Sequence, residues 1–301
     1  MSSSAKTNPI HGAAAAATAA TPPSPSCGCH EHKQAKTMAP AHGFARPAVA
    51  VVAREAWVAR RVELLEREKA LSRAREELAA ERRKLPMVKV GDADKYAFDT
   101  EHHGRVTLRE LFHGRPQLMV YHFMFDDDWE QGCLGCSITA DTFNGSSLHL
   151  PACDVTFVAV SKAPLPKLLA FKERMGWTFP WVSSSGSPFN ADFHVSFPTA
   201  SDRESGEYNF RSQGYPQSEG SGISVFWLDA ADGAVYHTYS AYARGGESLI
   251  NTYDLLDLVP LGRQERVRGN EGAGGKPAMW FAKRHDEYPY YDAKDMGATW
   301  L

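Results

Sequence analysis

No apolar stretch of this 301-residue sequence approaches the ~18 residues of a membrane span, so no transmembrane helix is expected. Charge of one sign is lacking too: 33 Lys and Arg stand against 36 Asp and Glu, a net charge of −3. That balance leaves no electrostatic footprint for nucleic acid, and none is expected as a partner. Cysteine is scarce. The five present, Cys27, Cys29, Cys133, Cys136 and Cys153, are odd in number and irregularly spread, which excludes the disulfide framework of a small secreted domain. Large apolar side chains are almost missing from residues 1–50, so this Ala, Pro, Ser and Thr segment is expected to be a disordered tail. Its "HGAAAAATAATPPSPS" is too weakly apolar for a signal-peptide core, and the chain is short of arginine there for an organellar transit segment. A cytoplasmic location is expected.

Beyond the tail, a hydrophobic share of 43% supports a folded body. Residues 54–85, "REAWVARRVELLEREKALSRAREELAAERRKL", are strong helix formers stopped by Pro86. Val58, Val62, Leu65, Leu71 and Leu78 make one thin stripe, while pairs such as Glu63 and Arg67 solvate the other faces. The stripe is expected to pack on the following domain or on a second copy, giving a homodimer through this helix. After Pro86 the period turns strand-like, with a turn around Gly104 and one helical turn ending at Gly114. "QLMVYHFMF" (117–125) and "DVTFVAVS" (154–161) are continuous apolar runs, as buried parallel strands require. A helix is expected through Ser137–Phe143, broken near Asn144-Gly145, and an amphipathic one over 164–176. "ISVFWLDAADGAVYHTYSAY" reads as a hairpin about an Asp-Gly turn, and "GESLINTYDLLDLVP" as a last helix. "GNEGAGG" is a flexible linker, so 269–301 is expected to be linker and aromatic tail beyond a domain over 87–268. The order strand, helix, strand, helix, hairpin, helix describes an α/β sheet with helices on both faces.

In "FDDDWEQGCLGCSITADTF", Cys133 and Cys136 fall where a buried strand gives way to a helix. There the helix amides and dipole stabilise a thiolate at Cys133, and Cys136, one turn on, can resolve a mixed disulfide. Asp126, Asp127, Asp128 and Glu130 oppose that anion. The bland reading is two packed thiols. A third reading uses the same cysteines with His122 or His237 to hold or deliver copper or zinc, since thiolate and imidazole suit both. Each histidine reads more simply as a core or rim residue. Arg244 and Trp129 are candidate substrate contacts, Arg244 having a surface ion pair as its plain alternative. "CGCHEH" (Cys27, Cys29, His30, His32) holds four potential zinc ligands in no standard spacing and reads as incidental. Cys153, at the entrance to a strand, reads as a small apolar residue.

A set of blocks in order, "YHFMF", "GC-x-x-CS", "AD-x-F-x-G", "DVTFVAVSKAPL", "FKERMGWTFPWVSS", "DFHVSF", "SVFW", "HTYSAYARG" and "YDLLDLVPLGR", resembles a thioredoxin-like family. That family is a domain of unknown function, sometimes grouped with alkyl hydroperoxide reductase-like proteins. The resemblance spans about residues 54–288 with the helix at its start. It implies a thioredoxin-like fold: a central mixed sheet flanked by helices, preceded by the long helix and the tail. Two departures stand out. Peroxiredoxins carry Thr three residues before their reactive cysteine, where this chain has Glu130. Thioredoxins carry a cis-proline before the strand facing the C-x-x-C, where this chain reads "GSGISVF". The expected activity is thiol–disulfide exchange, or thiol peroxidase chemistry, through Cys133 and Cys136. It would act on a disulfide or peroxide with an external reductant and no cofactor. A non-catalytic interaction domain is the alternative from another class.

Overall fold

The computed structural model describes residue 47, residues 49–265 and residues 275–289. The Cys27/Cys29/His30/His32 cluster, nearly all of the expected tail, and most of the expected linker lie outside the described residues. The strands are β1 (Val88–Lys89), β2 (Ala97–Thr100), β3 (Gly104–Thr107), β4 (Gln117–His122), β5 (Val155–Ser161), β6 (Trp181–Ser183), β7 (Glu207–Tyr208), β8 (Arg211–Ser212), β9 (Gly222–Leu228) and β10 (Val235–Tyr242). The α-helices are α1 (Arg54–Arg82), α2 (Leu134–Ser146), α3 (Leu165–Arg174), α4 (Phe189–Asp192), α5 (Ala200–Ser205) and α6 (Asn251–Leu256). Among the described residues no helix is long and apolar enough to cross a membrane.

Eight strands form one sheet in the order β1-β10-β9-β4-β5-β6-β2-β3. β4, β5 and β6 are parallel, and β9 and β10 return antiparallel beside β4. A parallel strand–helix–strand unit followed by an antiparallel hairpin and a helix is the thioredoxin-like fold. β4 and β5 need apolar residues throughout because both their faces are covered. Tyr121, Phe157 and Ala159 join the core beneath α2 and α3, with Phe123, Phe171 and Trp181. Leu118, Val120, Val158 and Val160 point the other way, into a second core with Phe98, Phe112, Phe189 and Phe226. His122 falls on this second face. It is buried, stacked on Phe189 and hydrogen-bonded through Nε2 to Ser224 Oγ at 2.8 Å. Burial lowers its pKa to about 3, with the nearby His237 adding to the effect.

Several expectations are corrected. α2 does not break at Asn144-Gly145 but continues to Ser146. A tertiary contact holds it there: Asn144 Oδ1 accepts from the Thr178 amide at 2.7 Å and from its hydroxyl at 3.1 Å. Cys153 is exposed, at the end of a 3-10 helix over Ser147–Cys153, and does not act as a packed apolar residue. α1 has no buried residue, and Val58, Val62, Leu65, Leu71 and Leu78 all stay exposed. Its ion pairs include Arg60–Glu63, in place of the expected Glu63–Arg67. Near its end Arg82 stands over the Tyr239 ring at 5.7 Å, but the stripe itself is uncovered in the single chain. The last expected helix is divided: a 3-10 segment over Ala243–Leu249 precedes α6.

Candidate active site

β4 ends at His122, and its extension through Phe125 leads into a loop that delivers Cys133 to the N-cap of α2. The Cys133 amide donates to the Met124 carbonyl at 3.0 Å, tying that loop back to the strand extension. Gly132 makes the approach possible. A Cβ there would lie 2.6 Å from the Phe123 ring and 2.9 Å from that of Phe171, so a side chain would push Cys133 off its seat. Cys133 is half-buried, Cys136 is 2% exposed, and both are free thiols.

The two sulfurs have opposite electrostatics. The Cys133 pKa is pulled down to about 6, first by the hydrogen bond from the Cys136 thiol. Burial opposes the shift, while the Cys136 and Gly135 amides and the Arg284 guanidinium support it. Those amides face the sulfur at the helix start without closing a full capping hydrogen bond. Cys136 is pushed well above an ordinary thiol, by burial first and then by its contact with Cys133. Its sulfur also receives the Met124 amide at 3.5 Å and interacts with the buried Tyr121 hydroxyl.

The expected opposition from the acids is largely absorbed. Asp126 is buried and paired with Lys162 at 2.9 Å. Burial alone would raise its pKa, but the hydrogen bonds of Ser218 and Lys162 outweigh it and hold the carboxyl below the ordinary range. Asp127, Asp128 and Glu130 point to solvent, where screening is strong.

Beside the sulfurs lies a cavity of about 490 Å³. Arg244 is on its rim, largely exposed and paired with Glu247 at 3.0 Å. Trp129 is not part of this wall; it packs against the core beneath α2. His122 and His237 do not join the cysteines, because β4 turns His122 to the opposite face and His237 bonds Ser240 at 2.7 Å. Among the described residues no three His, Cys, Asp or Glu side chains are grouped to hold a metal ion. No peptide bond among them is cis, and Ser221 and Gly222 line the same cavity as the thiols.

The residues that sequence reasoning missed come from the chain's end. Met279 lies over the start of α2, 3.4 Å from where a Cβ on Gly135 would be. Arg284 Nη2 donates to the Gly132 carbonyl at 2.8 Å, across 152 residues of sequence. This strap is fastened by Arg174 to Asp286 at 2.7 Å and by His285 to Asp141 at 2.7 Å. Nothing local marked 275–289 as part of the site, since it follows a Gly-rich stretch. The Cys136 hydrogen bond acts on the Cys133 sulfur more strongly than the Arg284 charge does. Cys136→Ala should raise the Cys133 pKa most, and Arg284→Met should raise it by less, with Arg284→Lys retaining part of the effect. The pH dependence of iodoacetamide alkylation at Cys133 checks this; an unmoved midpoint in both variants would refute it.

A family model described as a bacterial protein of unknown function (DUF899) matches residues 47–288. No curated protein matches the chain. Among solved structures, a PrxQ mutant of Xylella fastidiosa is 13% identical, with a TM-score of 0.37, covering 57% of this chain and 96% of its own. Peroxidoxin BcpB from Mycobacterium tuberculosis is 14% identical with a TM-score of 0.36, over 55% and 96%. A putative protein disulfide isomerase from Bacteroides thetaiotaomicron is 17% identical with a TM-score of 0.33, over 56% and 91%.

Proposed function

We propose that this chain, which belongs to the bacterial protein family of unknown function (DUF899), is a thiol–disulfide oxidoreductase acting through Cys133 and Cys136. One observation carries the reading: a half-buried thiol with its pKa pulled to about 6 sits at a helix start, one turn from a buried thiol whose pKa is raised. At neutral pH the first sulfur is mostly thiolate, the form that attacks a disulfide. The second keeps its proton until the first has reacted. Once Cys133 is bonded to another sulfur, its negative charge is gone and Cys136 loses a cause of its raised pKa. Cys136 then ionises more readily and attacks Cys133, closing the intramolecular disulfide.

Treatment of the reduced protein with one equivalent of a mild oxidant, followed by differential alkylation and mass spectrometry, tests the proposal. A Cys133–Cys136 disulfide is expected, with Cys153 free. Alkylation of Cys133 should be half-maximal near pH 6 and should outpace Cys153, although Cys153 is the more exposed sulfur. If both thiols stay reduced, or Cys133 reacts no faster than Cys153, the reading is wrong.

A further inference from the structure

The cavity beside Cys133 also speaks to what the dithiol meets, an inference that rests on the dithiol reading above. Its volume, about 490 Å³, falls in the range of ~300–1,000 Å³ typical of small-molecule sites. Four tyrosines line it, Tyr121, Tyr215, Tyr242 and Tyr253, with the thioethers of Met124 and Met279. Its charged side chains are engaged within the protein. Glu247 pairs with Arg244 at 3.0 Å and also with Arg263. Glu265 Oε1 accepts from the Tyr253 hydroxyl at 3.0 Å and from the Met279 amide at 2.7 Å. The Tyr242 hydroxyl is used by the Phe193 carbonyl at 3.0 Å. The Tyr215 hydroxyl has only a 4.0 Å approach to the Met124 sulfur, a weak acceptor. The wall is therefore mostly aromatic and apolar, its charged side chains are engaged, and the Tyr215 hydroxyl has only a weak acceptor.

The strap argues about size. Met279 lies over Gly135 next to Cys133, and Arg174, Arg284 and His285 fasten the segment on three sides. A segment fastened beside Cys133 in this way restricts the room for a folded partner to lay its own chain there. A small molecule enters through the cavity and leaves those bonds intact.

We infer that the oxidised partner of this dithiol is a small, uncharged disulfide with aromatic or alkyl arms, bound in the tyrosine-lined cavity, and not a protein disulfide. The Cys133 thiolate attacks one sulfur of R–S–S–R, forming Cys133–S–S–R and releasing RS⁻, which takes up a proton. Deprotonated Cys136 then attacks Cys133, the second RS⁻ leaves, and it takes the proton Cys136 gave up. The sum is dithiol plus R–S–S–R giving protein disulfide plus two R–SH. Two electrons pass to the substrate, and an external dithiol such as dithiothreitol resets the protein.

The test uses the reduced full-length chain and reads Cys133 and Cys153 in the same sample by quenched alkylation and mass spectrometry. Dithiodipyridine serves as the uncharged aromatic disulfide, dithiobis(nitrobenzoate) as its doubly anionic counterpart, and insulin as the protein disulfide. With dithiodipyridine, oxidation at Cys133 should saturate with concentration. The Cys133-to-Cys153 rate ratio should exceed that for the dianion by about tenfold or more, the scale of 1.4 kcal/mol. Gly246→Phe fills the cavity; a Cβ there meets only Leu249 Cδ1, at 3.9 Å, so the fold should tolerate it. It should abolish the saturation while the alkylation midpoint stays near pH 6. Equal ratios for the two reagents without saturation, or faster oxidation by insulin, would overturn the inference and leave the dithiol reading standing. If no reagent closes the Cys133–Cys136 bond, both fall together.

Discussion

Cys133→Ser is expected to abolish disulfide reduction, by about 10³-fold or more, a barrier increase of at least ~4 kcal/mol. The reason is chemical and local. A serine hydroxyl at this N-cap stays protonated at any working pH, so neither the hydrogen bond from Cys136 nor the helix amides has an anion to stabilise. Cys136→Ser should behave differently. The attack by Cys133 survives, but nothing is left to release the mixed disulfide, so the adduct should accumulate at Cys133, where peptide mapping separates it from any adduct on Cys153. Intact-mass measurement after a small disulfide is added distinguishes the two variants. Turnover in Cys133→Ser, or failure of Cys136→Ser to hold an adduct, would reverse or remove the assignment of attacking and resolving sulfur.

Trp181→Ala should cost about 3–5 kcal/mol of folding stability, a large part of the ~5–15 kcal/mol that a domain has. Trp181 is 1% exposed and lies where the aromatic core is densest, with ring centroids 4.6 Å from Phe123, 5.8 Å from Trp177 and 6.2 Å from Phe171. Its Nε1 donates to Ser161 Oγ at 3.0 Å, and that hydroxyl donates to the Phe123 carbonyl at 2.6 Å. Alanine leaves a void and removes a donor from a buried hydroxyl. Phe123 and Phe171 are also the rings that press on Gly132, so their relaxation should loosen the seat of Cys133. Urea unfolding should show the midpoint falling sharply, and the alkylation midpoint of Cys133 should rise. Trp181→Phe should recover most of the stability. A loss below about 1 kcal/mol, the ordinary cost of a point change, would show that this ring is not central to the core.

Some of this was legible because it depends on neighbours in the chain. A continuous apolar run rich in β-formers such as "QLMVYHFMF" reads as a strand covered on both faces, and β4 is that strand. The hairpin of β9 and β10 was marked by Asp232-Gly233 between two β-rich runs. The stripe of α1 does not pack on the body of its own chain, because helical spacing shows which side chains share a face, not what lies against it. Cys153 was misjudged because an apolar neighbourhood in sequence does not bury a residue that a 3-10 helix carries outward.

By itself the sequence determined the strand–cysteine–helix junction and the main elements around it, β4, α2, β5, α3 and the β9–β10 hairpin. Those follow from backbone periodicity and from the position of two cysteines one helical turn apart. Only the tertiary structure decided the charge felt by Cys133 and the shape of the space before it. Asp126 is answered by Lys162, Gly132 is held by Arg284, and the cavity is lined in part by Met279. Coulombic and desolvation energies depend on distance through space, and that distance is set by packing across the whole chain.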